Sequence, residues 1–307
     1  MDGVLKGFFV VSVVLLIGYV LGRTKALGPQ GSKVLSTLTF MVGLPCLMFS
    51  AIASRHISDV LSSTGLISVV TAVAVMLLFT VAGAIGRWGV RRTTMGALSV
   101  GIVNSTNLGV PLSLYILGSA TFVTPIMLFQ LAILTPIALT ILDLTDPAGN
   151  HVSLWHILSI PFRNPVTVAA ILGIIVSAAG IELPSLVLDP LALVAQLAVP
   201  LMLIIFGMSL HGLSVRPEIG DRVPTTVAVI LKSAVQPVLA WVLAAFVFRL
   251  DAFSTFVVTA CAILPTGQNV VLYAVRYGVG QGIAQSTAVF TTVLALPLLL
   301  GAAWLFG

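Results

Sequence analysis

The sequence predicts an all-α membrane protein in which ten transmembrane helices form two inverted five-helix repeats. Of the 307 residues, 59% are hydrophobic and only 7% are charged, whereas roughly 25% of residues are charged in soluble domains. This composition indicates a chain that crosses a lipid bilayer several times. A second observation, a set of motifs that recur at a nearly constant spacing, predicts the repeat.

Ten apolar stretches are candidates to cross the bilayer, because about 20 residues of helix span its hydrocarbon core. The segments between them are short, so the sequence predicts no separate extramembrane domain. The stretches lie at roughly 4–21, 33–53, 65–86, 95–117, 121–142, 166–180, 190–210, 224–248, 255–277 and 283–305.

The basic residues predict the orientation of these spans. Ten of the fourteen Lys and Arg residues fall in the loops that follow the odd-numbered spans. Loops rich in Lys and Arg stay in the cytoplasm, so both termini are expected on the periplasmic or extracellular side of the membrane. The bilayer itself explains this charge pattern, and no nucleic-acid partner is expected.

The two halves of the chain share three motifs. A proline recurs in the second and seventh spans, an asparagine in the fourth and ninth, and a proline in the fifth and tenth. These pairs are Pro45 and Pro200, Asn107 and Asn269, and Pro136 and Pro297, which are 155, 162 and 161 positions apart. Because each half has five spans, the second half enters the membrane from the opposite side, as in many secondary transporters. We therefore expect a first repeat at 1–142, a cytoplasmic linker at 143–164 and a second repeat at 165–307.

Two polar, helix-disrupting stretches interrupt the fourth and ninth spans, at residues 104–111 and 264–269. Irregular backbone at membrane depth is tolerated only where protein or a water-filled cavity covers it. A helix that restarts after a break has an N-terminus equivalent to roughly half a positive charge, which favours anions. The two breaks together predict a binding site for a carboxylate near the bilayer midplane.

These motifs resemble those of the auxin efflux carrier family. The resemblance rests on Gly43-Leu44-Pro45, on the stretch 104–111, and on the stretch 264–269 with Tyr273 and Tyr277-Gly278 after it. It covers essentially the whole chain and is strongest for the compact bacterial members, which are malonate or malate carriers. The resemblance therefore implies a location in a bacterial inner (plasma) membrane. The resemblance implies a ten-helix fold of the bile-acid, arsenite and riboflavin transporter superfamily, shared with sodium/proton antiporters. It also implies that the broken fourth and ninth helices cross in an X.

Nine residues are candidates to bind the substrate. Eight come from the two breaks and can supply neutral hydrogen bonds or irregular backbone; the ninth is a lysine inside the eighth span. They are Asn104, Thr106, Asn107, Pro111, Pro265, Thr266, Gln268, Asn269 and Lys232. The alternative for the break residues is that they only cap the interrupted backbone and touch no substrate.

Lys232 is the only charged residue well inside a predicted span, and intramembrane cations usually face the protein interior. Three roles fit it: attraction of an anionic substrate, neutralisation of a helix C-terminus, or a change of protonation during transport. The alternative is a side chain that snorkels to the interface from a helix that begins later than predicted.

The leading hypothesis for function is a secondary transporter of a small organic anion, such as an auxin-like monocarboxylate or malonate or malate. Motion is expected as an elevator or rocking of the crossing helices against spans 1, 2, 6 and 7. No cofactor or metal is expected, the coupling ion is open between H⁺ and Na⁺, and a homodimer is open as well. The main alternative is a membrane sensor that binds the same ligand without transporting it. An enzyme is disfavoured, because no Asp pair, Ser/His dyad or His-Glu-x-x-His helix lies at membrane depth.

Overall fold

The computed structural model describes residues 2–53, 63–145, 164–181, 183–210 and 219–306, and these residues are helical almost throughout. We number the helical segments α1 to α12 in chain order. They are α1 Asp2–Thr24, α2 Gly31–Ala53, α3 Ser63–Ile85, α4 Val90–Gly101, α5 at 105–115, α6 Thr124–Leu144, α7 Pro165–Ala178, α8 Ser185–Leu210, α9 Arg222–Val247, α10 Ala252–Ile263, α11 Gln268–Tyr277 and α12 Gln281–Phe306.

Within the described ranges, six helices are long and apolar enough to cross a membrane, namely α2, α3, α6, α8, α9 and α12. Shorter apolar helices lie at Phe9–Thr24, Pro165–Ala178 and Ala252–Ile263. The all-α membrane class is therefore confirmed. The arrangement of ten spans as an inverted repeat stays a prediction.

The chain divides into two compact units. The first contains Met1–Ser62, Thr106–Leu128 and Ser159–Gly212, and the second contains Ser63–Ser105, Phe129–Leu158 and Leu213–Gly307. Each unit draws on both predicted repeats, whose boundaries stay predictions.

In the first unit, α1 packs against α8 with its backbone in close approach. A Cβ added to Gly18 or Gly22 would lie within 3 Å of the backbone of Ile204 or Met208, respectively. Small residues four positions apart let membrane helices approach in this way. Gly18 and Gly22 therefore allow the close packing of α1 against α8.

In the second unit, α3 lies at the centre of the packing. Ile67 packs with Val258 of α10 and Ala240 of α9, and Phe79, further along α3, packs with Ala97 of α4. α9 contributes to both clusters through Ala240 and Ala228. α3 therefore contacts the helix before the first break and the helix before the second.

Short π-helical turns precede four of the prolines. The π-helical segments Thr39–Gly43, Ser105–Gly109, Gln130–Leu134 and Leu231–Val235 each end two residues before a proline, at Pro45, Pro111, Pro136 and Pro237. A proline has no N–H, and its ring crowds the carbonyl four residues back. The wider turn accommodates this crowding: Leu44, for example, donates its N–H to the carbonyl of Thr39, five residues earlier.

Candidate functional site

The two breaks pair with each other in the second unit. Val103 lies opposite Thr266 in an isolated antiparallel bridge. The Asn104 N–H donates to the Pro265 carbonyl at 2.7 Å, and the Gly267 N–H donates to the Ile102 carbonyl at 2.9 Å. Each break thus satisfies backbone groups of the other, which would cost several kcal/mol each if left unpaired in lipid.

The first break lies slightly earlier than the sequence predicted. The non-helical residues are 102–104, whereas Ser105–Gly109 is π-helical and Val110–Tyr115 is α-helical. Pro111 was expected to break the helix, but it lies inside α5, which continues to Tyr115. The π-helical turn before Pro111 accommodates its ring and its missing N–H.

The second break covers residues 264–267, and helix resumes at Gln268. Gly267 is tightly packed: a Cβ at this position would lie 2.5 Å from Asn269 Oδ1, 2.9 Å from Ile102 Cγ2 and 3.2 Å from the Val103 carbonyl oxygen. The crossing therefore requires a residue without a side chain at Gly267.

Thr266 stabilises this pairing through hydrogen bonds to two other helices. Its hydroxyl donates to the Ser99 carbonyl at 2.6 Å, and its N–H donates to Thr291 Oγ1 at 3.0 Å. Thr266 is 1% exposed. In this structure its polar groups bind α4 and α12, as the capping interpretation expects; a role in binding substrate stays a prediction.

Lys232 lies in the π-helical turn of α9 and is 1% exposed. Its ammonium donates to Gln236 Oε1 at 2.6 Å and to the Ala262 carbonyl at 3.2 Å. Ala262 belongs to the last turn of α10, whose carbonyl end has partial negative charge. The expected neutralisation of a helix C-terminus is therefore present. The snorkelling alternative is wrong, since α9 begins ten residues before Lys232 and the side chain is buried.

The remaining candidates begin the two helices that follow the breaks. Gln268 and Asn269 are the first two residues of α11 and are half-buried; the N-cap residue is Gly267, which supplies no capping oxygen. Thr106 and Asn107 are half-buried in the π-helical turn that opens α5, in the first unit. Asn107 and Asn269 thus hold similar local positions, each in the first turn after its break. Asn104, at the end of the first break, is buried.

Sequence reasoning missed Thr291 and Ser99, which bind Thr266. Serine and threonine are common in membrane helices, where their hydroxyls often bond to their own helix. Thr291 does so as well, donating to the Thr287 carbonyl at 2.7 Å. Its second bond, to the break, leaves no signal in the sequence.

A polar cluster ties together the ends of several helices of the second unit. The Tyr277 hydroxyl donates to Asp143 Oδ1 at 2.8 Å, and Arg91 donates to the Tyr277 carbonyl at 3.2 Å. Arg92 forms an ion pair with Asp221. These contacts connect α4, α6 and α11 on the side that the charge pattern assigns to the cytoplasm.

The first unit contains a mostly apolar cavity of about 520 Å³ between α2, α5 and α8. Ser50, Tyr115 and Gln196 supply its polar lining. Within the described residues, the buried Ser50 hydroxyl has no hydrogen-bond partner. The cavity has the size and mixed lining of ligand pockets.

Comparison with known proteins identifies a family but no individual relative. A search of curated proteins finds no significant match. The family of membrane transport proteins matches residues 4–302, which is nearly the whole chain. The helical fold, the paired breaks and this match agree, and the chain belongs to the membrane transport protein family, the auxin efflux carriers.

Proposed function

We propose that this membrane transporter is a secondary carrier of small organic anions, with a carboxylate as substrate, and that it works by alternating access around the paired breaks. The observation that supports the proposal most is the backbone pairing of residues 102–104 with residues 265–267. It holds irregular backbone inside the second unit and places the start of α11 next to the pairing.

The charges around the second break favour an anion. Lys232 complements the carbonyl end of α10, while the amino end of α11 begins after a glycine that supplies no capping group. A helix N-terminus attracts negative charge, and the neutral amides of Gln268 and Asn269 add hydrogen-bond donors. Together these groups suit a carboxylate.

Among carboxylates, a monocarboxylate fits best. Lys232 is the only basic residue well inside a predicted span, and its ammonium is already bonded to Gln236 and Ala262. A second carboxylate would therefore lack a cationic partner. An auxin-like acid is our first choice, ahead of malonate or malate.

The proposal is tested by flux into proteoliposomes of radiolabelled indole-3-acetate and malonate, with imposed H⁺ or Na⁺ gradients. We expect saturable flux of the monocarboxylate, which Asn269→Ala reduces at least tenfold and Asn269→Asp abolishes, because a new negative charge repels the anion. Gln281→Ala, at the exposed start of α12, is the control and keeps full flux.

Three results would count against the proposal. Faster uptake of organic cations by Asn269→Asp would indicate a cationic substrate. Specific binding of the acid without flux under any gradient would support the sensor alternative. Preference for malonate would keep the carrier but reject the monocarboxylate.

A further inference from the structure

A groove on the second unit lies apart from the paired breaks. It has a volume of about 600 Å³ and lies between the end of α3, the start of α4 and the second half of α6. Its walls are largely apolar, with Met76, Ala84, Ala97, Ile137 and Ala138 among the lining residues.

The groove opens at the surface of the chain. Ile137 is 55% exposed and Ile141 is 37% exposed, although both line it. Both belong to α6, which like α3 is long and apolar enough to cross a membrane. In a bilayer, such an opening faces acyl chains.

One cation lies at the end of this groove. Arg87 lines it and is exposed, directly after the last turn of α3. The neighbouring arginines have protein partners, since Arg91 bonds to Tyr277 and Arg92 to Asp221. In the described part of the chain no ion pair involves Arg87.

The backbone conformation of Arg87 is not peculiar to this residue. Its φ of 52° is left-handed, a conformation that favours glycine. Lys25 and Arg249 show the same conformation after other helices, and a cation stabilises the carbonyl end of any helix. The feature peculiar to Arg87 is the apolar groove beside it.

We propose that this groove binds one acyl chain of an anionic phospholipid whose phosphate pairs with Arg87. The groove supplies an apolar surface at the depth of the hydrocarbon, and the arginine lies at its end on the side that the charge pattern assigns to the cytoplasm. An apolar surface next to a basic residue is the combination that recognises an anionic lipid. The volume lies in the usual range for ligand pockets. None of its lining residues belongs to the paired breaks, so this site is separate from the proposed substrate site.

The probe is dioleoyl phosphatidylglycerol, compared with dioleoyl phosphatidylcholine, added to the purified full chain in detergent and counted by native mass spectrometry. We expect phosphatidylglycerol to be retained about fivefold more strongly, since one basic residue near a membrane surface contributes roughly 1 kcal/mol. Arg87→Gln should remove this preference. Arg23→Gln, an exposed arginine in the last turn of α1, should keep it.

A second variant tests the groove itself. Ala84→Trp places an indole in it from an exposed position and should lower retention of both lipids several-fold, whereas Ala178→Trp, exposed at the end of α7, should not. If Ala84→Trp does not yield folded protein, Ile137→Trp on the opposite wall replaces it. Equal retention of the two lipids by the wild type, a preference that survives Arg87→Gln, or a groove variant that binds like the wild type would each overturn the proposal and leave only annular lipid.

Discussion

The N–H of Asn104 donates a 2.7 Å hydrogen bond to the carbonyl of Pro265, joining two breaks that are far apart in the sequence. A break cannot satisfy all of its own backbone groups, because a non-helical segment lacks some of the carbonyls that a helix provides one turn back. The pairing therefore makes each break depend on the other. A change at one break is expected to disturb both helices and not only its own.

Gly267→Ala should destabilise the protein by about 1–3 kcal/mol, the usual range for an overpacked buried site. The added Cβ would lie 2.5 Å from Asn269 Oδ1, 2.9 Å from Ile102 Cγ2 and 3.2 Å from the Val103 carbonyl oxygen. The measurement is thermal unfolding of the purified protein in detergent. Gly301→Ala is the control, because nothing lies within 4 Å of a Cβ at that position. Equal melting temperatures for the two variants would show that the breaks are not closely packed.

Thr291→Val should cost about 1–3 kcal/mol, since it leaves the buried N–H of Thr266 without its acceptor. The substitution keeps the shape of the side chain and removes only the hydroxyl. Denaturant unfolding in detergent would measure the loss. Thr226→Val removes an exposed hydroxyl that bonds only to its own helix and should change stability by less than about 0.5 kcal/mol. A similar loss in both variants would mean that Thr291 does not brace the second break.

Lys232 and Gln236 should act as one unit. Lys232→Met removes the donor of two buried carbonyl oxygens, and Gln236→Leu leaves the lysine with the Ala262 carbonyl alone. We expect each variant to be destabilised by about 1–3 kcal/mol and the double variant to be no less stable than Gln236→Leu. The coupling energy from this cycle should be about 1 kcal/mol or more. Strictly additive losses would show that the two side chains do not depend on each other.

The sequence predicted the location of most helices and both breaks. Segments that cross lipid must be apolar, so apolar runs indicate spans and polar residues within them indicate interruptions. It could not predict that Val103 lies opposite Thr266. Lipid and protein interior are similarly apolar, so the faces of these helices that touch protein have no distinctive composition. For the same reason Thr291 resembled any other threonine in a span. The π-helical turns before Pro45, Pro136 and Pro237 could in principle have been predicted, because a proline inside a transmembrane helix requires a local change in the helical hydrogen bonding.

The position of Pro111 shows that helix-breaking residue types alone do not locate the interruption in a helix. The stretch 104–111 holds two asparagines and a proline, yet most of it is helical. Of the three residues that leave the helix, Ile102 and Val103 are β-branched and apolar, and only Asn104 belongs to the predicted stretch. They pair with the other break through backbone groups, which every residue has. The break is therefore fixed by its partner segment and only indirectly by its own composition.

Asp251 should make stability depend on pH. It caps α10: the N–H of Ser254 donates to Oδ1 at 3.0 Å and the Ser254 hydroxyl donates to Oδ2 at 2.7 Å. These two bonds hold the pKa of Asp251 below its usual value, and the bond from the backbone has the larger effect. Asp251 lies before the helix and is fully exposed. Because its folded pKa is lowered, its contribution is complete above the unfolded pKa of about 4 and is lost as the pH falls through the lower folded value.

Asp251→Asn removes the negative charge but keeps a residue that can cap the helix. Asparagine is itself a good N-cap, and Asn164 caps α7 in this chain by accepting bonds from Val166 and Thr167. The variant should therefore fold, with a melting temperature slightly below that of the wild type at pH 7. The difference should shrink as the pH falls below about 4, the unfolded pKa, and vanish below the lowered folded pKa, where the wild-type carboxyl is protonated and no longer differs in charge from the amide. Melting curves at several pH values would measure it. A gap of the same size at pH 7 and at pH 3 would mean that the charge of Asp251 does not stabilise α10.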